Sequence, residues 1–346
     1  MSLVFLGTGS DLPATVVTND DIERTAGDYD RARAGVSLHE WTMARTGVAE
    51  RHRVGPGEGT SDMALRAARR ALQDAGVAVD EIDLIVFSTF TSDYRLPGSG
   101  ALLARALGSH AKVFQIEAAC AGFVDAVILA QNLMPALGQR TALVVSAEAM
   151  SVIVDDQKFM HQTIFGDGAG AAVLRLEPDS PYGVQAATTH TDAEHCGWTF
   201  APSGGTKARV TPEVLRDRSQ FLQLAHHEVF AFAVDKMVDA THEVLARAGL
   251  TIDDVDWLIP HQTGRNIIDA VTEQLKIPPE RVVVVIDHIG NVSGATLPIA
   301  LDEARRQGRL RNGDTIVMTA VGAGMAWGAL VVVWRDPDLA TALHLA

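Results

Sequence analysis

The sequence predicts an α/β protein made of two duplicated halves, in which two related sheets enclose buried helices in five layers. Residues 71–87 (ALQDAGVAVDEIDLIVF) return as residues 244–260 (VLARAGLTIDDVDWLIP), at an offset of 173 (244 − 71). Residues 140–147 (RTALVVSA) fall on residues 313–320 (GDTIVMTA) at the same offset. Half of the 346-residue chain is also 173 residues, so spacing, order and residue identity together indicate an internal duplication.

The elements of each half follow from the pattern of apolar residues. Each copy of the repeat reads as the end of an amphipathic helix, a glycine at its C-terminus, an acidic loop and an apolar strand. Short apolar strands such as LIVFSTF (84–90) and VVVVI (282–286) alternate with helical patterns, which is typical of mixed or parallel sheets covered by helices. We place the first half at residues 1–180 and the second at residues 181–346. Convergent α/β patterning without duplication is the alternative.

Composition excludes several classes of protein. Hydrophobic residues make up 47% of the chain and charged residues 21%, as in soluble globular proteins, and order is expected throughout except in residues 337–346. A net charge of −14 argues against a nucleic-acid partner. No apolar run is judged long enough to span a bilayer, and residues 1–13 lack the basic region of a signal peptide. The two cysteines, Cys120 and Cys196, form no disulfide framework, so a reducing, cytoplasmic location is expected.

Cys120 lies where a strand is predicted to turn into a helix. The apolar run KVFQIEAA (112–119) ends at Cys120, and AGFVDAVILAQNLM (121–134) continues with helical periodicity. Adding the repeat offset of 173 to 120 gives position 293, within GNVSGATLP (290–298). There the second half also passes from a predicted strand to a predicted helix.

A pseudo-twofold axis between the halves would bring these two helix starts together. Asn291 would then lie near Cys120. Ser88, at the end of the first repeat's strand, corresponds to His261 at the end of its partner strand (88 + 173). We therefore expect His261 at the same cavity.

A cysteine, a histidine and an asparagine that converge on one point form a candidate nucleophilic site. The N–H groups at a helix start favour negative charge, so we expect them to lower the pKa of the Cys120 thiol, with further help from an imidazole. Each residue also has a structural interpretation: an inert apolar cysteine, a capping or core histidine at 261, and a helix-capping asparagine at 291. Their convergence under one symmetry favours catalysis.

Two other stretches resemble ligand-binding motifs without matching one. GDGAG (166–170) lacks the Lys-Ser/Thr pair of a phosphate-binding loop and the spacing of a dinucleotide fingerprint, so we interpret it as a tight structural turn. HTDAEHC contains His190, His195 and Cys196, but their spacing fits no standard zinc pattern and the segment reads as a loop. No metal is expected.

Seven motifs give the chain a family resemblance. It resembles the 3-oxoacyl-ACP synthase III (ketoacyl synthase III) group of the thiolase superfamily, which implies a thiolase-like, five-layered αβαβα fold. The motifs cover nearly the whole chain in the family's order: TGSDLP (8–13), RTGVAERH (45–52), AACAGF (118–123), FGDGAGAAVL (165–174), PHQ (260–262), GNVSGATLPIAL (290–301) and GAGMAWGALVV (322–332).

The resemblance implies a two-stage reaction without a metal or organic cofactor. Cys120 would take an acyl group from an acyl-CoA or acyl-ACP, and malonyl-ACP would then enter, lose carbon dioxide and condense with that acyl group. His261 and Asn291 would complete the triad by donating hydrogen bonds to the malonyl thioester oxygen. The oxyanion hole would use the backbone N–H groups of Cys120 and Ala323, where the family has glycine at the second position.

The resemblance also implies binding residues and a homodimer, in which the loop at Leu96-Pro97 reaches the partner's acyl pocket. The implied contacts with CoA or pantetheine are Trp41, Arg45, His227, Arg265 and Asn266. The implied acyl-pocket residues are Leu96, Phe165 and Met325.

The chain departs from the family around the pantetheine channel. Residues 155–163 (DDQKFMHQT) lack the arginine that stacks on adenine, and residues 263–266 (TGRN) replace the usual Ala-Asn-x-Arg after PHQ. His227 replaces an asparagine that helps to hold pantetheine. These departures weaken the case for CoA specificity and suggest a specialised, secondary-metabolism member.

These observations are compatible with three alternative functions. The first is a decarboxylating condensing enzyme, and the intact triad favours it. The second is a non-condensing acyltransferase that passes the cysteine-bound acyl group to a hydroxyl or amine in a natural-product pathway. The third is a non-catalytic partner subunit with the same fold. The intact triad argues against it, because an inactive subunit has no need to keep all three residues.

Overall fold

A computed structural model describes residues 1–336, so the expected lack of order in residues 337–346 lies outside the described residues. The helices are α1 (Asn19–Thr25), α2 (Arg31–Ala34), α3 (Leu38–Arg45), α4 (Thr60–Ala75), α5 (Ser99–Leu107), α6 (Gly122–Ala136), α7 (Phe159–Gln162), α8 (Pro212–Asp217), α9 (His226–Ala248), α10 (Arg265–Leu275), α11 (Ile286–Ile289) and α12 (Thr296–Arg306). The strands are β1 (Ser2–Asp11), β2 (Thr15–Thr18), β3 (Glu50–Arg53), β4 (Leu84–Ser88), β5 (Lys112–Ile116), β6 (Thr141–Ala149), β7 (Asp167–Glu177), β8 (Gly183–Thr191), β9 (Thr199–Phe200), β10 (Gln223–Leu224), β11 (Trp257–Pro260), β12 (Thr315–Gly322) and β13 (Ala326–Val333).

Two mixed sheets form the framework. The first has the order β1-β7-β6-β4-β5, with β4 parallel to β5 and β6 and the other pairs antiparallel. The second has the order β11-β12-β13-β8, with only β11 and β12 parallel. All strands of the first sheet precede those of the second in the chain, as a duplicated fold requires.

The predicted five layers are present. Helices α4 and α5 cover the outer face of the first sheet, and α9 and α10 cover the outer face of the second. Helices α6 and α12 lie between the sheets, where their apolar side chains share one core with residues of both sheets. The middle layer is therefore the place where the two halves meet.

The repeat is visible in the backbone. Strands β4 and β11 begin 173 residues apart (257 − 84), and the short turns Val79–Glu81 and Ile252–Asp254 begin at the same spacing (252 − 79). Gly76 and Gly249 both end their helices in the left-handed conformation, with φ of 61° and 70°. The predicted glycine C-caps are confirmed, because this conformation favours glycine.

Two predicted elements were wrong. Residues 282–285 form no strand and make only one bridge, between Val282 and Leu258. The backbone N–H groups of Val285 and Ile286 instead donate to the side-chain oxygen of Gln262, which removes the donors that a fifth strand would need. The run GDGAG is not a tight turn, since its last four residues begin β7.

The glycines of β7 have a packing role instead. A Cβ at Gly170 would lie 2.7 Å from the Cβ of Pro298, and one at Gly168 would lie 3.0 Å from Leu12. A Cβ at Gly166 would lie 2.3 Å from the carbonyl oxygen of Ile289. These absent side chains allow β7 to approach α11 and α12, so the run serves the contact between the halves.

One apolar segment is longer than the sequence analysis allowed when it found no run able to span a bilayer. Residues Ala119–Ala136 are long and apolar enough to cross a membrane by length and composition alone. They form α6 and the turn before it, however, and α6 packs between the two sheets with its apolar side chains in the shared core. The run is typical of a core helix.

A buried carboxylate joins the first sheet to the middle layer. Asp302 of α12 is fully buried, and it accepts hydrogen bonds from Thr8 Oγ1 at 2.8 Å and Ser10 Oγ at 2.6 Å. Arg306 Nε donates to it from one turn away, at 2.8 Å. The Asp302 carboxylate therefore accepts hydrogen bonds from three side chains, two on β1 and one on α12.

We predict that Asp302→Ala destabilises the protein, because it leaves the buried Thr8 hydroxyl without an acceptor. The expected loss is about 2–4 kcal/mol, seen as a fall in Tm of roughly 3–6 °C by calorimetry. The matched control is Asp253→Ala, which removes an exposed aspartate from a turn. Equal Tm values for the two variants would contradict this role of Asp302.

Candidate active site

The nucleophile lies on a turn between β5 and α6, as predicted. Strand β5 ends at Ile116, and residues Ala119–Ala121 form one turn of 3-10 helix that leads into α6. Ala119 has a φ of 45°, an uncommon conformation for a residue with a side chain. A Cβ at Gly122 would lie 1.9 Å from Ser88 Oγ, so glycine allows this helix start to approach the end of β4.

The second half supplies a matching turn. Residues Ser293–Ala295 form one turn of 3-10 helix before α12, and Ser293 has a φ of 49°. A Cβ at Gly294 would lie 2.7 Å from the carbonyl oxygen of Ala119, so the two turns touch through their backbones. Ser293 Oγ lies 3.3 Å from Cys120 Sγ. The predicted meeting of the two helix starts is therefore present.

Asn291 is held with its amide in a fixed orientation. Its Oδ1 accepts a hydrogen bond from the backbone N–H of Ser293 at 2.8 Å. Its backbone pairs with the segment before β7, through bonds to Ile164 and Gly166 of 2.8 and 3.2 Å. Because the oxygen faces a backbone donor, the Nδ2 group is left to donate elsewhere.

His261 directly follows β11 and is fully buried. Its backbone N–H donates to Thr319, and its Nδ1 lies 2.6 Å from Thr296 Oγ1. Nε2 is buried and has no hydrogen-bond partner within residues 1–336. Burial lowers the pKa of His261 to about 3, so the ring is neutral at physiological pH.

The expected lowering of the thiol pKa was wrong. Burial raises the pKa of Cys120 to about 12, although part of the side chain remains accessible. The hydrogen bond from Ser293 opposes this rise, whereas the charge of Glu148 adds to it. The neutral His261 brings no positive charge, so desolvation outweighs the effect of the helix start.

Glu148 is a residue that the sequence reading missed. It is fully buried at the end of β6 and accepts hydrogen bonds from Thr89, Thr91 and the backbone N–H of Phe90. Burial raises its pKa to about 8. No motif signalled this residue, because a lone glutamate in an apolar strand becomes informative only when its neighbours are known.

Ser293 and Thr296 were also missed, although a signal for Ser293 existed. The repeat offset maps Cys120 to position 293, two residues after Asn291, and that correspondence is the signal for Ser293. Thr296 begins α12 and contacts His261. Its role depends on the packing of α12 against β11, which the sequence does not reveal.

The glycine turn of the second half lies against the nucleophile. A Cβ at Gly322 would lie 2.6 Å from the backbone nitrogen of Cys120, so the end of β12 packs closely on the Cys120 turn. Ala323, the expected second oxyanion donor, is the next residue and is partly exposed. The turn then leads to Met325, whose backbone exchanges two hydrogen bonds with Asp192 at 2.8 and 3.0 Å.

The predicted nucleotide contacts lie in an aromatic cluster. The guanidinium of Arg45 lies 4.3 Å from the centre of the Trp41 ring. Phe159 of α7 packs edge-on against the same ring at 5.2 Å and against Tyr29 at 5.0 Å. The segment before α3, which contains Tyr29, is thus tied to α7, and the Trp41 ring already has two neighbours.

The other predicted channel residues are exposed. Arg265 and Asn266 begin α10, and the Arg265 backbone N–H donates to Thr46 at 2.8 Å, which places them beside the end of α3. Arg265 also pairs with Asp269 at 2.7 Å. His227 lies in the first turn of α9. Arg265 and Asn266 are thus exposed beside the helix that carries Trp41 and Arg45, and His227 is exposed at the start of α9.

The predicted acyl-pocket residues occupy three environments. Phe165 is buried beside Asn291 and packs in a small apolar cluster with Met150, Val154 and Leu222. Met325 is buried in the core beneath the second sheet. Leu96 is 88% exposed. The structure therefore brings Phe165, but not Leu96, to the site within one chain.

The HTDAEHC segment shows no metal geometry. His190 pairs with Glu243 at 2.6 Å, and His195 pairs with Asp192 at 2.8 Å. Across the described residues, no group of three or more histidine, cysteine or acidic side chains is arranged to hold a metal ion.

Comparison with known proteins supplies the family. Two family models match: 3-oxoacyl-[acyl-carrier-protein (ACP)] synthase III over residues 114–193, and its C-terminal part over residues 245–334. The chain is 40% identical to the β-ketoacyl-[acyl-carrier-protein] synthase III of Symbiobacterium thermophilum over 329 residues, covering 95% of this chain and 97% of that protein. The protein of the same name from Rhodospirillum centenum is 40% identical over 335 residues, covering 96% and 98%.

Solved structures agree. The 3-oxoacyl-[acyl-carrier-protein] synthase III of Aquifex aeolicus superposes with a TM-score of 0.86 at 33% identity, covering 96% of this chain and all of that one. The priming β-ketosynthase of a polyketide biosynthetic pathway gives 0.86 at 32% identity, covering 97% of each chain. This chain therefore belongs to the 3-oxoacyl-[acyl-carrier-protein] synthase III family, a group of condensing enzymes with the thiolase-like fold.

Proposed function

We propose that the protein is a 3-oxoacyl-ACP synthase III that loads an acyl group onto Cys120 and condenses it with malonyl-ACP. One observation carries the proposal: among residues 1–336, His261 Nε2 and Asn291 Nδ2 make no hydrogen bond, and both residues flank the turns that hold the nucleophile. An acyltransferase that does not decarboxylate has no need for such a pair. The condensing reaction is therefore favoured over transfer to a hydroxyl or amine.

In the first step, Cys120 attacks the thioester of an acyl-CoA or acyl-ACP. A bond forms between Cys120 Sγ and the acyl carbon, the bond to the donor's sulfur breaks, and the thiol proton ends on the departing thiol. The backbone N–H groups of Cys120 and Ala323 are proposed to stabilise the oxyanion. The close packing of Gly322 on Cys120 supports this pairing.

In the second step, a malonyl thioester loses carbon dioxide and its enolate attacks the acyl carbon. Nδ2 of Asn291 and Nε2 of His261 donate to the enolate oxygen as charge develops there. The Thr296 hydroxyl carries one proton and lies nearer to His261 Nδ1 (2.6 Å) than to Ser293 O (3.0 Å). We propose that this hydroxyl donates to Nδ1 rather than to Ser293 O during the reaction, which leaves the proton of the neutral ring on Nε2, where the enolate needs it.

The remaining parts of the proposal concern substrates and boundaries. We propose that Trp41, Arg45, His227, Arg265 and Asn266 line the path of the pantetheine arm. Arg265 and Asn266 begin α10 beside the end of α3, which carries Trp41 and Arg45, and His227 is exposed at the start of α9. Phe165 and Met325 are proposed to line the acyl pocket, together with Leu96 from a second copy.

The halves divide at residues 180 and 181, between the last strand of one sheet and the first of the other. We propose a cytoplasmic enzyme whose partners are the acyl donor and the carrier protein, without membrane or nucleic acid.

We predict that Cys120→Ala abolishes the acyl adduct seen by intact-protein mass spectrometry, whereas Asn291→Ala keeps the adduct and loses condensation. The second effect is expected to be about 100- to 1,000-fold, as for other groups that stabilise developing negative charge. The matched controls are Cys196→Ala and Asn132→Ala, which change an exposed cysteine and an exposed asparagine. Condensation by Cys120→Ala, or an equal loss of both steps in Asn291→Ala, would refute these roles.

We predict that malonyl decarboxylation stays constant between pH 5 and pH 7. His261, whose pKa is lowered to about 3, remains neutral across this range, and Glu148, whose pKa is raised to about 8, remains protonated. The measurement is the rate of acetyl-ACP formation from malonyl-ACP at a series of pH values. A loss of rate with a midpoint near the ordinary histidine pKa of about 6.5 would show that His261 titrates normally.

We predict a homodimer in solution by light scattering. Strand β5 is an edge strand of the first sheet, and the loop that leads from β4 to α5 exposes Tyr94 (62%) and Leu96 (88%). An open sheet edge and exposed apolar side chains favour association with a second copy. A monomer at micromolar concentration would contradict the dimer and the assignment of Leu96 to a partner's pocket.

A further inference from the structure

Ser293 is the residue that the pseudo-twofold axis places opposite Cys120. The two positions differ by 173, the repeat offset, and their side chains meet at 3.3 Å between Oγ and Sγ. Ser293 is 1% exposed. Within residues 1–336 its hydroxyl makes no other hydrogen bond, so the reacting sulfur is the only partner that the described chain offers it.

The same residue touches the rest of the site through its backbone. Its N–H donates to Asn291 Oδ1 at 2.8 Å, and its carbonyl oxygen lies 3.0 Å from the hydroxyl of Thr296, which contacts His261. The contacts of Ser293 with Asn291 and Thr296 therefore belong to its main chain. Removal of the hydroxyl alone separates the contact with Cys120 from the contacts that hold Asn291 and His261.

We propose that the Ser293 hydroxyl is a further catalytic group, which donates a hydrogen bond to the Cys120 sulfur whenever that sulfur carries negative charge. The inference rests on the proposed function and extends it. Hydrogen bonds from a hydroxyl to a charged acceptor are stronger than neutral ones, so this contact gains strength in the charged state. No other side-chain donor contacts Sγ among the described residues.

The sulfur carries charge twice in one cycle. During acylation it becomes anionic as it attacks the donor's acyl carbon, and its proton is passed to the departing thiol. During condensation the enolate carbon bonds to the acyl carbon, the bond from that carbon to Sγ breaks, and the electron pair returns to sulfur. The thiolate then takes one proton from water. The same hydroxyl can serve the sulfur as nucleophile and as leaving group.

The electrostatics of the site make this donor necessary. Burial disfavours a charged sulfur, and the neutral His261 adds no positive charge to offset this effect. The hydrogen bond with the Ser293 hydroxyl opposes the effect of burial. Its left-handed backbone conformation, with a φ of 49°, directs the side chain of α12's leading turn toward the other half.

The test compares Ser293→Ala and Ser293→Gly with the wild-type chain. Both variants lack the hydroxyl, and glycine also suits the positive φ, so a folding defect of the alanine variant would not end the experiment. We expect single-turnover acylation of Cys120 to fall about 10- to 100-fold in both, the usual effect of losing a hydrogen bond to a charged group. Formation of acetyl-ACP from malonyl-ACP, without an acyl donor, should stay within about twofold of wild type.

The matched control is Ser146→Ala. Its hydroxyl is buried beside Gly294, the neighbour of Ser293, and within residues 1–336 it makes no hydrogen bond, either with Sγ or with another atom. We expect normal acylation in this variant. Unchanged acylation in both Ser293 variants would overturn the proposal. An equal loss of acylation and decarboxylation would also overturn it, because it would assign Ser293 a structural role.

A readout that needs no substrate separates this proposal from the proposed function. Iodoacetamide alkylates the thiolate form of cysteine, so its rate reports how readily Cys120 becomes charged. Alkylation of Cys120 at pH 8 should fall about tenfold in Ser293→Ala and stay unchanged in Ser146→Ala. If no thioester acylates the wild-type protein while this difference is found, the proposed function fails and the Ser293 contact stands. An equal alkylation rate in both variants would overturn the contact's role.

Discussion

The contact between two helix-start turns in the middle layer is the constraint on which the site depends. Gly294 of one turn lies against the Ala119 carbonyl of the other, at a distance that leaves no room for a side chain. Both turns contain a residue with positive φ, at 119 and 293, which the surrounding layers must hold in place. Cys120, Ser293 and Asn291 come together because the two halves pack through these turns.

Burial then decides the protonation of the site. It raises the thiol pKa to about 12 and lowers the His261 pKa to about 3, so the resting pair is a neutral thiol and a neutral imidazole. Such a site does not rely on an ion pair to activate its nucleophile. Fixed dipoles instead stabilise the negative charge that develops during the reaction. They are the helix starts, the backbone N–H groups of the oxyanion hole, the Asn291 amide and the hydroxyl of Ser293.

The sequence was sufficient to predict the parts of the fold that depend on local pattern and repetition. The offset of 173 located the two turns that begin α6 and α12, and through them Cys120, Asn291 and the position of His261. Residues 282–285 were misassigned because a buried side chain, Gln262, takes backbone donors that a run of valines suggests are free for a sheet. The GDGAG run was misassigned because glycine serves close packing in a strand as well as turns.

The electrostatics of the site were not predictable from the sequence. The dipole of a helix start alone lowers the pKa of a thiol, but desolvation of Cys120 outweighs it, and desolvation depends on the layers stacked around the cysteine. Glu148 and Thr296 carry no motif, and their positions become informative only once β6 and α12 are packed. Ser293 was within reach of the repeat argument, since it is the position to which the offset maps the nucleophile.

The most direct test of the account follows one acyl group through the wild-type enzyme. The protein is acylated with a thioester from a panel of acyl-CoA and acyl-ACP donors, freed of excess donor, and mixed with malonyl-ACP while intact masses are recorded. The account predicts a single adduct on Cys120 that disappears as 3-oxoacyl-ACP and carbon dioxide form in equal amounts. An adduct that persists with malonyl-ACP and leaves only when a hydroxyl or amine is supplied would contradict it.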